Sequence, residues 1–487
     1  MLLAAVDVGS NSFRLEIGRA DGSHIERRGY WKEIVRLAAG LDADNHLSKK
    51  AIETASDCLA RINERLRGMP ASHVRAVGTQ TLRQALNGDE FLLEGQHALG
   101  FPIEIISGRE EARLVFEGCM HSLAPSQKRR LVVDIGGASS EVIVGRTFEA
   151  DKAESFKIGC LNVTLKFFPD GVIDRASLRR AQVACEADFE EAQAFFGRGR
   201  WDEAYGTSGT IGAVSLVLRD QGWTDGTITP PGLARLRQAL LAAGDVRRVR
   251  FDGLKQERAA VLAGGVAVLL AIFETFGLQE LRTAKGGLRL GVLYDLLGRR
   301  ESHDIRDATV DRWQLRFGVD RAQAERVAQT ALGLFRAVAP GAGEESLKSL
   351  LRAAQLHEVG SAVSHGDYHK HSAYLIEHGD LPGFSTSDQK NIAELVLGQR
   401  GNLKKVSALL EDSERAAALL ALRLAVILNH ARRDAGCERW TLRFARAIEL
   451  ALDHAWLEQH PLTRHLLEEE SEQWQRVGVR FAIRELD

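Results

Sequence analysis

Residues Leu131–Gly145 read LVVDIGGASSEVIVG. Val132, Val133 and Ile135 lead in and Val142, Ile143 and Val144 lead out, so β-branched residues flank a short polar turn, the pattern of two strands in a hairpin. At the turn, Gly136 and Gly137 let the backbone come close to a ligand and aim N–H groups at an anion. Asp134 and Glu141 place carboxylates on either side, a donor type suited to the hard cation that accompanies phosphate. A hairpin whose acidic residues are merely solvated would read the same way.

The chain contains this stretch twice. Ala4–Gly18, AAVDVGSNSFRLEIG, aligns Asp7 with Asp134, Gly9 with Gly136, Ser12 with Ser139 and Gly18 with Gly145. Val6, Val8 and Ile17 fall opposite Val133, Ile135 and Val144. So long a spacing is no solenoid period. It predicts two copies of one α/β domain, each opening with a hairpin, facing each other across a cleft. Two glycine- and serine-rich turns converging from opposite walls would clamp a phosphate.

The 487 residues suffice for two to four domains, and a formal net charge of −2 excludes the global basic excess of a dedicated nucleic-acid binder. The five cysteines (58, 119, 160, 185, 437) are scattered, odd in number and without a CxxC pair, which points to a reducing cytoplasm and away from zinc. Met1 runs straight into a strand pattern with no signal peptide in view. The longest apolar run, Ala259–Phe273, is too short to span a bilayer and reads as a buried helix.

In chain order, Leu47–Leu66 is an amphipathic helix with Ser48 as N-cap and Ile52, Ala55, Leu59 and Ile62 on its apolar face. His73–Gly78 is a strand, and GTQTLRQALN (Gly78–Asn87) puts Thr79 and Thr81 at a strand-to-helix junction with Arg83 on the helix. Arg83 is either a surface ion pair or a phosphate contact. After a strand at Phe101–Ile106, SGREEARLVFEG (Ser107–Gly118) opens a helix in which Ser107 and Glu110 fit a capping box. Glu111 either serves the helix dipole too or reaches the cleft as a general base. Trp201–Gly212 repeats the strand–loop–helix pattern, with Gly206, Ser208, Gly209 and Thr210 as small groups and N–H donors. Leu281–Leu297 is expected to close the second half. From about Arg300 the pattern turns helical, and His357, His365, His369, His371 and His378 cluster in it. A metal-dependent phosphohydrolase of the HD type would need a His-Asp pair and a later Asp; here the pair is His357-Glu358, and Val426 stands at the later position. No working metal site is expected there.

Taken together and in order, DVGSNSFRLEI, GTQTLRQALN, SGREEARLVFEG, DIGGASSE, GTSGT and LHEVG…HSAYLI…DLPGF resemble the bacterial exopolyphosphatase/guanosine pentaphosphate phosphohydrolase family across essentially the whole chain. The resemblance implies the ribonuclease H-like fold of actin-like ATPases, duplicated around a cleft (1–119 and 120–298), plus an all-helical HD-like domain (299–487). It assigns Glu111 as the base for the attacking water, with Asp134 and Glu141 holding Mg²⁺ and orienting that water, and with Asp7 as a further metal ligand. Ser10, Asn11, Ser12, Gly137, Ala138, Ser139, Ser208 and Gly209 would cradle the phosphates, and Arg83 would clamp them. Mg²⁺ is the implied cofactor, with K⁺ as a stimulating ion, and a homodimer the implied assembly. The turn reads DIGGAS where many exopolyphosphatases have DIGGGS, so Ala138 must keep a negative φ, and Arg14 stands where several relatives have His.

The expected reaction is hydrolysis of a terminal phosphoanhydride with release of orthophosphate. The hairpins do not choose between inorganic polyphosphate and guanosine pentaphosphate. The DIGGAS turn and WLEQHPLTRHLLEEESEQW (Trp456–Trp474) look closer to the nucleotide branch. The reading favours exopolyphosphatase, with the nucleotide as alternative or second substrate, and neither a nucleic-acid partner nor a membrane. A sugar or acetate kinase, and a non-catalytic polyphosphate sensor, are the competing classes.

Overall fold

Each copy of the hairpin becomes the centre of a five-stranded sheet in the computed structural model, which describes residues 1–300, 304–434, 436 and 439–486. Cys437 lies outside the described residues. The first sheet contains β1 (Leu2–Val8), β2 (Ser12–Asp21), β3 (His24–Ile34), β4 (Val74–Gly78) and β5 (Ile103–Ile105), in the order β3-β2-β1-β4-β5. The second contains β6 (Arg130–Ile135), β7 (Ser140–Arg146), β8 (Glu149–Phe156), β9 (Glu203–Thr207) and β10 (Arg282–Thr283), in the order β10-β9-β6-β7-β8. Read from its other edge, the second order is the first. The irregularities repeat as well. Register shifts between Ile17 and Gly18 in one sheet and between Val144 and Gly145 in the other, residues that the sequence match places opposite each other. A Cβ on Gly18 would lie 2.4 Å from Ile25 Cγ2, and one on Gly145 2.2 Å from Glu149 O, so both bulges require glycine.

Helices cover the sheets as their patterns predict. Lys49–Leu66 starts at Ser48, whose hydroxyl accepts from Ala51 N, and it buries Ile52, Ala55, Leu59 and Ile62 with the strands of the first sheet. The apolar run from Ala259 lies mostly in the helix Leu262–Phe276, buried in the second core. Among the described residues, no helix is long and apolar enough to cross a membrane. Order in the chain groups Leu281–Leu297 with the second half. In space the helix Leu288–Arg300 packs on the helix Gly108–Ser122 and on β1, in a core that takes Leu3 and Ala5 from the first sheet and Val132 and Ile143 from the second. Glycine makes this contact possible: a Cβ on Gly291 would lie 1.8 Å from Leu114 O. These elements form one compact unit, Met1–Asp304.

The second unit, Ile305–Asp487, is helical in most of its length, but the expectation of an all-helical domain is corrected. β11 (Trp440–Phe444), β12 (Ala447–Asp453) and β13 (Arg480–Leu486) form a sheet in the order β11-β12-β13. The physical reason is alternation: Ile448, Leu450 and Leu452 turn one apolar face inward, with Leu442 and Phe481 beside them in the same core. In this unit His357 is buried with Nδ1 2.6 Å from Ala354 O, Glu358 is taken by the Arg432 guanidinium at 2.7 and 2.9 Å, and Val426 packs on the core. His369 is buried too, whereas His365 and His378 are exposed.

Candidate active site

The two turns meet. An ideal Cβ on Gly137 would sit 3.6 Å from Asn11 Cβ and 3.8 Å from Ser10 Cβ, so the second turn lies directly against the first. Both are held from behind by their carbonyls. Ser10 O accepts from Ala38 N, and Asn11 O from Val35 N and Arg36 N; Gly137 O accepts from Leu161 N, and Ala138 O from Asn162 Nδ2. A trans peptide points its C=O and N–H in opposite directions, so drawing these carbonyls back turns the N–H groups of Asn11, Ser12, Ala138 and Ser139 forward. Gly9 and Gly136 are equivalent in detail, each with a would-be Cβ 3.0 Å from the carbonyl of the serine three residues on. Ala138 is not among the residues with positive φ, so its N–H keeps its place in the row.

A cleft of about 780 Å³ opens at this meeting point. Of the residues singled out from sequence, Asp7, Ser10, Asn11, Ser12, Glu111, Asp134, Gly137, Ala138, Ser139, Glu141, Ser208 and Gly209 all line it. Arg83 does not. Its guanidinium bonds Gln80 Oε1, Ile106 O and Glu111 Oε2. Thr79 lines the cleft and Thr81 is buried away from it. The two neighbouring glutamates separate: Glu110 is buried and bonded by Arg113 at 2.8 Å, whereas Glu111 faces the cleft. Ser208 holds φ +89° at the start of the helix Ser208–Asp220, a left-handed backbone unusual for serine, and its Oγ accepts from Thr210 N and Ile211 N.

Register explains the charge of the two walls. In the second sheet Asp134 pairs with Glu141, and Glu141 pairs with Ser155, giving a row across β6, β7 and β8. Ser155 Oγ donates to Glu141 Oε1 at 2.8 Å. In the first sheet the equivalent row is Asp7, Arg14 and Lys32. One wall is therefore acidic and the other basic. Burial, then the mutual repulsion of Glu111, Asp134 and Glu141, holds these carboxyls above their ordinary range: Asp134 is pushed up to about 7 and Glu141 well above its usual value. Burial raises Glu111, and the Arg83 charge pulls it back. Asp7 sits differently, 3.4 Å from Arg289 Nη1 and 3.8 Å from Arg14 Nη1, and so is already charge-paired.

Several basic residues that carry no motif complete the basic wall. Arg258, Lys255, Lys32 and Arg289 line the cleft with Arg14. Burial and the charge of Arg14 depress the Arg258 guanidinium, and burial with Arg258 and Arg14 depresses Lys32. A Cβ on Gly209 would lie 2.1 Å from Arg258 Nη2, so glycine there makes room for that side chain.

The family model described as the Ppx/GppA phosphatase family matches residues 18–300, and that of Ppx/GppA phosphatase domain III matches 305–471. The chain belongs to the Ppx/GppA phosphatase family. It is 36% identical over 490 residues to the guanosine-5′-triphosphate,3′-diphosphate pyrophosphatase of Aeromonas hydrophila, covering 98% of this chain and 97% of that one. The protein of the same name from Vibrio vulnificus is 37% identical, covering 99% and 98%. Among solved structures, an exopolyphosphatase from Cytophaga hutchinsonii matches with a TM-score of 0.55 and 22% identity over 61% of this chain and 98% of its own. A Ppx/GppA family member from Aquifex aeolicus matches with a TM-score of 0.53 and 24% identity over 62% and 98%. These structural likenesses speak for the fold, which carries the duplication anticipated from the repeated hairpin. As a Ppx/GppA phosphatase, the chain is a hydrolase of phosphoanhydride bonds.

Proposed function

We propose that this phosphatase removes the terminal 5′-phosphate of guanosine pentaphosphate, releasing orthophosphate and guanosine tetraphosphate. The observation that carries the reading is the pair of opposed rows: Asp134–Glu141 with Glu111 on one wall, Arg14–Lys32 with Arg258 on the other. A substrate with two separated polyanionic groups suits a cleft with two separate anion-holding features, the N–H cradle of the turns and the basic wall. The names of relatives sharing over a third of their residues along the full length support this substrate over polyphosphate. Long-chain polyphosphate, favoured on sequence, presents the same terminal group, but the exopolyphosphatase from Cytophaga hutchinsonii resembles this chain at 22% identity, which bears on the fold alone.

Mg²⁺ fits the acidic wall by donor chemistry. Buried carboxylates that repel one another supply hard oxygen ligands whose charge a divalent cation would relieve. Among the described residues no three candidate ligands form a cage, which suits an ion bound by one or two carboxylates together with substrate phosphates. Asp134 and Glu141 would hold it, whereas Asp7, paired with Arg289 and Arg14, is better placed to fix those cations. When bound, the ion would spread the negative charge of the phosphates.

The rest falls to the chain. N–H groups of Asn11, Ser12, Ala138 and Ser139 fix the terminal phosphoryl oxygens, and Glu111 accepts the proton of a water set in line with the leaving oxygen. The basic wall holds the other anionic end and so orients the nucleotide. The test compares phosphate release from guanosine pentaphosphate and from long-chain polyphosphate by purified protein with Mg²⁺. A larger kcat/KM for the nucleotide is expected; a larger value for the polymer overturns the assignment.

A further inference from the structure

The sequence motif GTQTLR carries an arginine that does not line the cleft. Arg83 has five N–H donors, and the protein engages four: Nη1 donates to Glu111 Oε2 and to Ile106 O, both at 2.9 Å, while Nε and Nη2 donate to Gln80 Oε1 at 3.3 and 2.9 Å. A phosphate clamp needs paired N–H groups facing the ligand. Four of the Arg83 donors are spent on protein atoms and the side chain does not line the cleft, whereas Glu111 does. Its surroundings are tight. Gln80 is buried, and a Cβ on Gly108, at the start of the Glu111 helix, would lie 3.8 Å from Arg83 Nη2 and 2.6 Å from Ser155 Cβ.

From this we infer that Arg83 is a positioning residue for Glu111 and not a phosphate ligand, with Gln80 locking the guanidinium from behind. The inference rests on Glu111 being the base in the hydrolase reading above. Glu111 stands among Asp7, Asp134 and Glu141, which repel it, and Arg83 is the opposite charge bonded to it. Without Arg83, the carboxylate has no counter-charge tying it to the cleft wall and swings away from its acidic neighbours. Positioning and clamping then predict different kinetics. A lost positioning residue lowers kcat at nearly constant KM, and a lost ligand of the bound phosphate raises KM. An arginine that touches the phosphoryl group only in the transition state would also lower kcat, and it differs from a positioning residue in leaving the Glu111 carboxylate in place when removed.

The variants are Arg83→Gln and Gln80→Met, assayed on guanosine pentaphosphate with Mg²⁺. The expected result for Arg83→Gln is a fall in kcat of about a hundredfold with KM within about threefold of wild type. Gln80→Met, at a buried residue that does not line the cleft, should show a smaller fall of the same kind. A rise in KM above about tenfold with kcat preserved overturns the inference, as does full activity of both variants. Crystal structures of the two variants supply a readout independent of turnover and of folding yield in solution: a displaced Glu111 carboxylate supports the inference, and an unmoved one overturns it. If wild type releases phosphate from neither nucleotide nor polymer, the proposed function fails, while the position of Glu111 in the variants still decides the role of Arg83.

Discussion

Asp134→Asn should make the metal-free protein more stable at neutral and alkaline pH. Burial, then Glu111, raises the Asp134 carboxyl from an ordinary 3.8 to about 7. That rise corresponds to about 4 kcal/mol. Asp134 keeps some contact with water in the cleft, and screening there brings the figure to about 2 kcal/mol. For a unit of this size that is about 4 °C in Tm. The sign follows from linkage. A carboxyl whose folded pKa lies above its unfolded value binds its proton more tightly in the folded state, so its contribution is complete below about pH 4 and is lost as pH rises through about 7. Thermal unfolding in EDTA between pH 4 and 8.5 should therefore show the variant and wild type melting together near pH 4, separating as the pH rises from about 4 to about 7, and keeping a constant gap above that, the variant higher. Added Mg²⁺ should narrow the gap by stabilising wild type more. A variant that melts below wild type at pH 8, or a gap that is the same at every pH, would refute the strained acidic wall.

Three further perturbations test separate parts of the account. Glu111→Gln should lower kcat by about a thousandfold, with affinity for guanosine tetraphosphate unchanged within a few-fold in calorimetry; undiminished turnover would remove Glu111 as the base. Arg258→Ala should raise KM for guanosine pentaphosphate at least about tenfold, as loss of a charge-assisted contact does, with a smaller change in kcat; an unchanged KM would detach the basic wall from substrate. Arg423→Met should destabilise the second unit by about 3–5 kcal/mol, because it strands the buried Glu470 carboxylate that Arg423 now bonds. Wild-type melting of that unit would contradict the pairing.

Much of this architecture was legible because a hairpin repeat carries steric requirements along with its hydrophobic pattern. Gly9 and Gly136, and Gly18 and Gly145, are glycines for the same close contacts in both copies, so aligning them also aligned the two sheets. The acidic wall followed, since Asp134 and Glu141 flank one turn and meet across it. The basic wall did not. Lys32 reaches the cleft only through the pairing of β3 with β2, and Arg258 only through packing against Gly209, and neither fact leaves a local motif. Arg14 was noticed as a departure from relatives, but its position opposite Asp7, where the other hairpin has Glu141, needs the register. The route of Leu288–Arg300 is likewise a matter of glycine-to-backbone contacts with a distant helix, invisible in its own amphipathic pattern. At the far end, β11–β13 are short strands next to helical segments rich in Glu and Leu, where strand alternation is easily read as helix.

The central claim is that water attacks the terminal 5′-phosphorus. The direct measurement is turnover of guanosine pentaphosphate with Mg²⁺ in H₂¹⁸O, with mass spectrometry of both products. The account predicts one ¹⁸O in the released orthophosphate and none in the guanosine tetraphosphate. Label in the nucleotide, or release of pyrophosphate in place of orthophosphate, would contradict it.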